Sequence, residues 1–325
     1  MVAAGAAFFR HECPRSLARA RLSFLIISIY RYTFGYLFAT VSEVRREPRH
    51  AKQEMSANSH DERFESGAER YANYLETSEG RLRLDLAFVN LLEFLPRAAG
   101  PLRALDIGGG TGATAVRLAQ LGIHVTLLDS SPQMLSLAEC TAREAGVAEN
   151  IVLKRGNAGQ LECCFAPRSF DLILCHNILE YVNDPGTVLK GAAQLLRSES
   201  SLFSVLVRNQ AGEVLKAAIQ QGDLAAADKN LAAEWGNESL YGGEARLFAA
   251  GSLRAMLEAA SFEVAATRGV RVISDYLPQR ISRSDEYGRI LELESKLACR
   301  PEFAAIARYT HCLAHLTATV MKAAE

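Results

Sequence analysis

The segment Ala104-Leu-Asp-Ile-Gly-Gly-Gly-Thr-Gly-Ala-Thr-Ala-Val-Arg-Leu-Ala119 limits what this chain can fold into more than any other. It starts as a buried strand, tightens into a glycine loop and continues as an amphipathic helix. A second apolar run, His124-Val-Thr-Leu-Leu-Asp129, ends on a carboxylate twenty-one positions after Gly108. Strand, glycine loop, helix and distal acid in this order predict an α/β sheet whose backbone approaches a ligand closely. An acid at the second strand end can take both hydroxyls of a ribose. A nucleoside-bearing ligand is therefore expected.

Asp106 narrows the choice of ligand. In a dinucleotide site the loop and helix N-terminus hold a pyrophosphate, and a carboxylate beside it would repel. Asp106, two residues before Gly108, is expected to face the ligand, where it suits a cation. S-adenosylmethionine carries a sulfonium and an ammonium and no phosphate. The pattern Asp106-x-Gly108-x-Gly110-x-Gly112 resembles motif I of the class I S-adenosylmethionine-dependent methyltransferases. Asp129 then resembles their ribose-binding acid.

Along the chain the expected elements alternate. Phe64–Leu95 reads as helix, and Ser131-Pro132 as an N-cap with proline opening a helix to Ala145. Short apolar runs at 150–154, 170–175 and 202–207 read as strands, with a helix over 187–196. This rhythm predicts a Rossmann-like, mostly parallel sheet with helices on both faces. After Asn209 the rhythm changes. Residues 211–230 read as a polar helix, 235–243 as irregular, 248–260 as helix and 262–267 as strand. Residues 270–276 read as strand-like, 284–298 as helix and 309–320 as a final strand. An antiparallel edge is expected there.

Charge limits the partners. Of 36 Lys+Arg and 37 Asp+Glu, nine and four fall in the first 54 residues, which leaves 27 against 33 for residues 55–325. This acidic body argues against a broad nucleic-acid surface. Seven cysteines without a Cys-x-x-Cys suggest reduced thiols, a cytoplasmic protein and no metal site. Cys140 is expected to pack on a helix and Cys175 on a strand. The apolar stretch Ser23–Val41, interrupted by Arg31, could anchor or target the chain. The preferred expectation is that residues 1–54 are an atypical extension, with Met55 the working initiator. Residues 55–325 would then be a methyltransferase domain with no membrane segment and a cap inserted at about 210–245.

The segments Asp171-Leu-Ile-Leu-Cys-His-Asn-Ile-Leu-Glu-Tyr-Val-Asn-Asp-Pro185, Gly269-Val-Arg-Val-Ile-Ser-Asp-Tyr-Leu277, Leu291-Glu-Leu-Glu294 and Arg308-Tyr-Thr-His311 resemble the bacterial tRNA 5-carboxymethoxyuridine methyltransferases. Phe64–Tyr71 and Glu79–Arg83 extend the resemblance upstream. It implies carboxyl O-methylation of a modified wobble uridine in tRNA. It also implies that Arg83 reaches the cofactor's methionine carboxylate and that Gly108, Gly109 and Asp129 form the loop and ribose acid. Ala158 and Gly159 fall at the adenine loop, and His176 matches a cofactor position. From the residues alone, Asn157 is a candidate for an adenine edge. One departure stands out: 220–230 reads Gln-Gln-Gly-Asp-Leu-Ala-Ala-Ala-Asp-Lys-Asn, without the family's lysine-rich run.

A carboxylate acceptor is already ionised at neutral pH and needs no general base. It needs holding and aligning, which suits arginine. Arg208, Arg271 and Arg308 are the candidates, with Tyr276, Tyr309 and His311 nearby in sequence. For a phenol or amine acceptor, His176 or His311 would serve as base. Two other readings are a methyltransferase for a small-molecule acid or other metabolite, and a non-catalytic cofactor-binding protein.

Overall fold

The computed structural model describes residues 58–97 and 100–317. The expectations for residues 1–54 and for Met55 lie outside these. Five parallel strands, β1 (Arg103–Ile107), β2 (His124–Asp129), β3 (Ile151–Arg155), β4 (Leu172–His176) and β5 (Leu202–Arg208), carry the order β3-β2-β1-β4-β5. Strands β8 (Phe262–Val270) and β9 (Tyr309–Leu316) complete the sheet as β5-β9-β8. Both of these pairings are antiparallel. The expected parallel sheet with an antiparallel edge is therefore present.

One sheet face is apolar throughout. Leu105, Ile107, Ile173, Phe203 and Val205 pack with Val188, Leu189, Leu253 and Leu257 from the helices Pro185–Leu195 and Ala250–Ala259. Phe203 and Phe262 stack with centroids 4.5 Å apart, tying β5 to β8 across the intervening strand. The other face bears the helices Ser78–Leu92, Ala113–Gln120, Pro132–Glu144 and Tyr287–Ala298. Asp85 links three of them, accepting from Arg117 at 2.6 Å and from Tyr287 at 2.7 Å.

Local chemistry corrects several expectations. The helix over 64–95 is two helices, α1 (Asn58–Glu76) and α2 (Ser78–Leu92). Thr77 caps the second by accepting from the Gly80 amide at 3.1 Å. A Cβ on Gly80 would collide with the Tyr74 carbonyl, so the break depends on glycine. Residues 211–230 likewise divide: Gly222 turns the chain at φ +65°, and Asp223 caps Leu224–Asn230. The stretch 235–243 is not irregular throughout, because β6 (Trp235–Asn237) pairs antiparallel with β7 (Glu244–Arg246).

Of residues 270–276, only Val270 is in a strand. β8 ends at Val270, Arg271 turns at φ +61°, and Ser274–Tyr276 form a 3-10 turn. Glu294 explains this geometry. Its fully buried carboxylate accepts the backbone N–H groups of Val272, Ile273 and Ser274 at 2.6, 3.0 and 2.7 Å. Three donors are satisfied without a sheet partner. Cys140 is exposed on its helix rather than packed, whereas Cys175 is buried on β4.

Candidate active site

The parallel strands change direction of progression between β1 and β4, and a crevice opens at their carboxyl ends. The cavity there measures about 930 Å³, ample for a nucleoside ligand together with a second reactant. Its floor comes from the strand ends: Gly108, Gly110, Asp129, Gly156–Gly159 and His176. Its far wall is Arg208, Arg271, Arg308 and Tyr309. Helix α1 and residues 237–241 close it from above.

The glycine loop is shaped for close approach. Gly108, Gly110 and Gly112 all have positive φ, at 66°, 53° and 77°, a region that side chains disfavour. Asp129 holds the loop's rim. Its Oδ2 accepts from the Gly110 amide and its Oδ1 from the Ser131 amide, both at 2.9 Å. Asn157 is turned partly inward on its own loop, its Oδ1 accepting from the Gly159 amide at 2.8 Å.

Asp106 departs from expectation. It is 3% exposed, does not line the cavity, and lies beneath the loop against Gly109. Strand alternation accounts for this. Leu105 and Ile107 point into the apolar core, so Asp106 points to the opposite face under the glycines. Burial, and after it the Asp129 carboxylate, pushes Asp106 up to about 7. Its influence on a ligand is therefore through the loop.

Arg83 is brought to the cavity by α2. It is 5% exposed, donates to Tyr71 Oη at 2.8 Å and to Asn177 Oδ1 at 3.1 Å, and lies over the rings of Tyr71, Tyr74 and Tyr309. No carboxylate among the described residues pairs with it. Asn177, in the left-handed region at φ +54°, relays this contact to Glu180 through a 3.0 Å bond. His176 meets Ser204 Oγ at 2.8 Å. Burial, and behind it the Arg83 charge, brings its imidazole down to about 3, so it is neutral at pH 7.

The three candidate arginines converge, though they are not free. Arg208 pairs with Glu213 and Glu238, and Arg271 with Asp275. Arg308 approaches Glu213 at 2.6 Å and Asp275 at 3.9 Å. The Arg308 Nη1 approach lacks hydrogen-bond angles, so it is an ion pair by distance with donors left over. Tyr309 stands at their centre, 6.0 Å from both Arg271 and Arg308. Burial alone would raise its phenol. Arg83, Arg271, Arg308 and Arg208 together outweigh burial and hold it below the usual tyrosine value.

The aromatic roof has no counterpart among the candidates read from the sequence. Phe64, Tyr71, Tyr181 and Tyr241 meet with centroids 5.0 to 5.8 Å apart. Arg70 and Arg63 of α1 donate to the carbonyls of Leu240 and Glu244. Gly67 leaves room for the Tyr241 ring. The signal was present as tyrosines at i and i+3 on α1 (Tyr71, Tyr74), but their partners lie over a hundred residues away. Glu180, Glu213, Asp275 and Glu294 were also missed, because their roles arise only from folding.

The chain is similar to known methyltransferases. A family model described as a methyltransferase domain matches residues 100–290. The tRNA 5-carboxymethoxyuridine methyltransferase of Escherichia coli (strain K12) is 30% identical over 264 residues, 78% of this chain and 96% of that protein. The CcbJ methyltransferase from Streptomyces caelestis superposes with a TM-score of 0.54 at 18% identity, covering 80% of this chain and 99% of that one. The magnesium protoporphyrin IX methyltransferase from Synechocystis PCC 6803, solved with bound SAH, gives 0.53 at 14% identity over 81% and 100%. These two share the fold. The chain is an S-adenosylmethionine-dependent methyltransferase and belongs to the tRNA 5-carboxymethoxyuridine methyltransferase family.

Proposed function

We propose that this enzyme methylates the carboxylate of 5-carboxymethoxyuridine in tRNA. The observation that carries the reading is the convergence of Arg208, Arg271 and Arg308 on one cavity wall, opposite the glycine loop. A wall of guanidinium groups suits a planar anion. The Escherichia coli relative, matched over nearly its whole length, is named for this nucleoside.

S-adenosylmethionine supplies an activated methyl group on a sulfonium. The cradle fits it: glycines without side chains, Asp129 at the second strand end, and a buried arginine, Arg83, lacking a carboxylate partner. In this assignment Gly108 and Gly110, which line the cavity, admit the cofactor, Gly109 and Gly112 let the loop pack against Asp106, Leu127 and Ala138, and Asp129 takes the ribose. Asn157, Ala158 and Gly159 border the adenine, and Arg83 with His176 meets the amino-acid tail. Asp106 favours the cationic tail from beneath the loop. The aromatic roof excludes water and favours positive charge near its ring faces.

On the acceptor side Arg271 and Arg308 orient the carboxylate, and Arg208 fixes the wall through Glu213. No residue removes a proton, because the acceptor is already ionised. The arginines must hold the carboxylate without quenching its lone pairs, and their existing acid partners serve that balance. Alignment alone can supply several kcal/mol of barrier lowering. Residues 210–245, which bring Lys216, Gln220 and Asn237–Tyr241 to the cavity, act as the substrate cap.

A second reading, a small-molecule acid as acceptor, is favoured by the acidic body and by the missing lysine run at 220–230. Incubating the enzyme with labelled S-adenosylmethionine and tRNA that carries 5-carboxymethoxyuridine, followed by nucleoside mass spectrometry, separates the two. Formation of the methyl ester of that nucleoside supports the tRNA reading. A protein that binds cofactor yet leaves the nucleoside unmodified favours the small acid.

A further inference from the structure

His176, Ser204 and His311 form a polar chain, of which the methyl-transfer account uses only His176. They come from β4, β5 and β9 and point to one face of the sheet. Ser204 Oγ lies 2.8 Å from His176 Nε2 and 2.7 Å from His311 Nε2. The two rings meet edge to face at 85°, with centroids 5.2 Å apart. Ser204 and His311 are fully buried, whereas His176 lines the cavity. Burial holds both imidazoles neutral, each with a lowered pKa.

A neutral imidazole has one donor and one acceptor, and a hydroxyl has one proton to give. That leaves three arrangements. His311 Nδ1 is buried and has no partner among the described residues. If Ser204 donated to His311, that nitrogen would carry an orphaned N–H, which native interiors rarely tolerate. If both rings donated to Ser204, the hydroxyl proton would have no acceptor among the bonds Ser204 makes. In the third arrangement His311 Nε2–H donates to Ser204, and Ser204 donates to His176 Nε2. Only an acceptor lone pair on His311 is then unsatisfied.

We infer that this relay fixes His176 as an Nδ1–H donor toward the cavity, with Ser204 and His311 as positioning residues. A ring so fixed takes an acceptor atom, such as a carboxylate oxygen, and rejects an ammonium. Arg83 is near enough for its charge to act on the ring, which favours an anionic acceptor. Naming that acceptor as the amino-acid carboxylate of the cofactor rests on the cofactor assignment above; the tautomer does not.

The test is a two-bond proton–nitrogen correlation spectrum of the full chain, labelled with 15N-histidine and free of ligand. His176 is assigned by the signal lost in His176→Asn. The expected pattern is a protonated Nδ1 and a pyridine-like Nε2. Ser204→Ala should mix the tautomers and raise the KM for S-adenosylmethionine about 2- to 10-fold, the scale of one hydrogen bond, with kcat nearly unchanged. Ser204→Thr, which keeps the hydroxyl, should restore both. An Nε2-protonated His176 in the wild type overturns the inference, and so does a tautomer unaltered in folded Ser204→Ala. The wild-type spectrum decides even if a variant fails to fold. A failure to bind S-adenosylhomocysteine would count against the cofactor assignment while leaving the relay standing.

Discussion

Arg308 and Glu213 meet at 2.6 Å, and the same carboxylate also receives Arg208. One buried acid therefore spaces two of the three arginines on the acceptor wall. Breaking a buried pair strands the partner's charge, at about 3–5 kcal/mol. Glu213→Ala should lose stability on that scale in urea denaturation. Glu139→Ala, which breaks an exposed pair with Arg143, should lose under about 1 kcal/mol. Equal losses would remove Glu213 from the role given to it.

The two ends of the cavity should separate kinetically. Arg271→Lys keeps the charge beside Asp275 but loses the planar fork. It should lower kcat/KM for the acceptor by about 100-fold, the scale of one misplaced charged donor, and leave S-adenosylhomocysteine affinity nearly intact. Arg83→Lys should do the reverse, weakening cofactor binding by about 10-fold or more. Titration calorimetry with S-adenosylhomocysteine, run beside steady-state kinetics, reads both. Arg271→Lys with wild-type acceptor kinetics would count against the arginine wall.

The cofactor half of this site was readable in the sequence because its parts are local. Gly108 to Gly112 and Asp129 belong to one strand–loop–helix–strand unit, and their spacing carries their geometry. The acceptor half was readable only as residue types. Arg208, Arg271 and Arg308 were candidates because arginine suits a carboxylate. What spaces them is only partly local: Glu213 meets Arg308 only when β5 and β9 pair, whereas Asp275 lies four residues beyond Arg271 in the turn after β8. Asp106 shows the limit of a motif: strand alternation puts it under the loop. The 270–276 segment reads as a strand because Val270, Val272, Ile273 and Tyr276 are β-formers. Glu294, some twenty residues away, takes the backbone donors that a strand would have shared.

Asp106 connects pH to both stability and binding. Its folded value of about 7 lies above the unfolded one, so the folded protein holds the extra proton in between. Its contribution to stability is present below about pH 4 and is lost as pH rises to about 7. Asp106→Asn mimics the protonated form and should be more stable than wild type at pH 8 in the absence of ligand. It should also bind S-adenosylmethionine more weakly there. Wild-type affinity should rise with pH through about 7 and the variant's should not. A wild-type affinity flat from pH 6 to 8 would contradict this role.

The buried histidines act with the opposite sign. His176 falls to about 3 in the folded state and His311 is also lowered, so the unfolded chain binds those protons first. Their contribution is full above about pH 6.5 and is lost on acidification, for His176 toward about 3. Each neutral histidine should add up to about 1.4 kcal/mol of loss per pH unit in that window. Urea melts at pH 6.5 and 5 should show His311→Asn with a shallower loss than wild type. Parallel losses would mean that His311 is not held neutral.

The central claim is that the methyl group goes to a carboxylate oxygen. It is tested most directly by the chemistry of the product. Transfer RNA carrying 5-carboxymethoxyuridine is incubated with the enzyme and methyl-labelled S-adenosylmethionine, purified, and treated with mild alkali. A carboxyl methyl ester releases its label as volatile methanol, whereas a methylated base, ribose or phenol-type ether retains it. The account expects the incorporated label to leave as methanol. Label that stays with the RNA after alkali would contradict it.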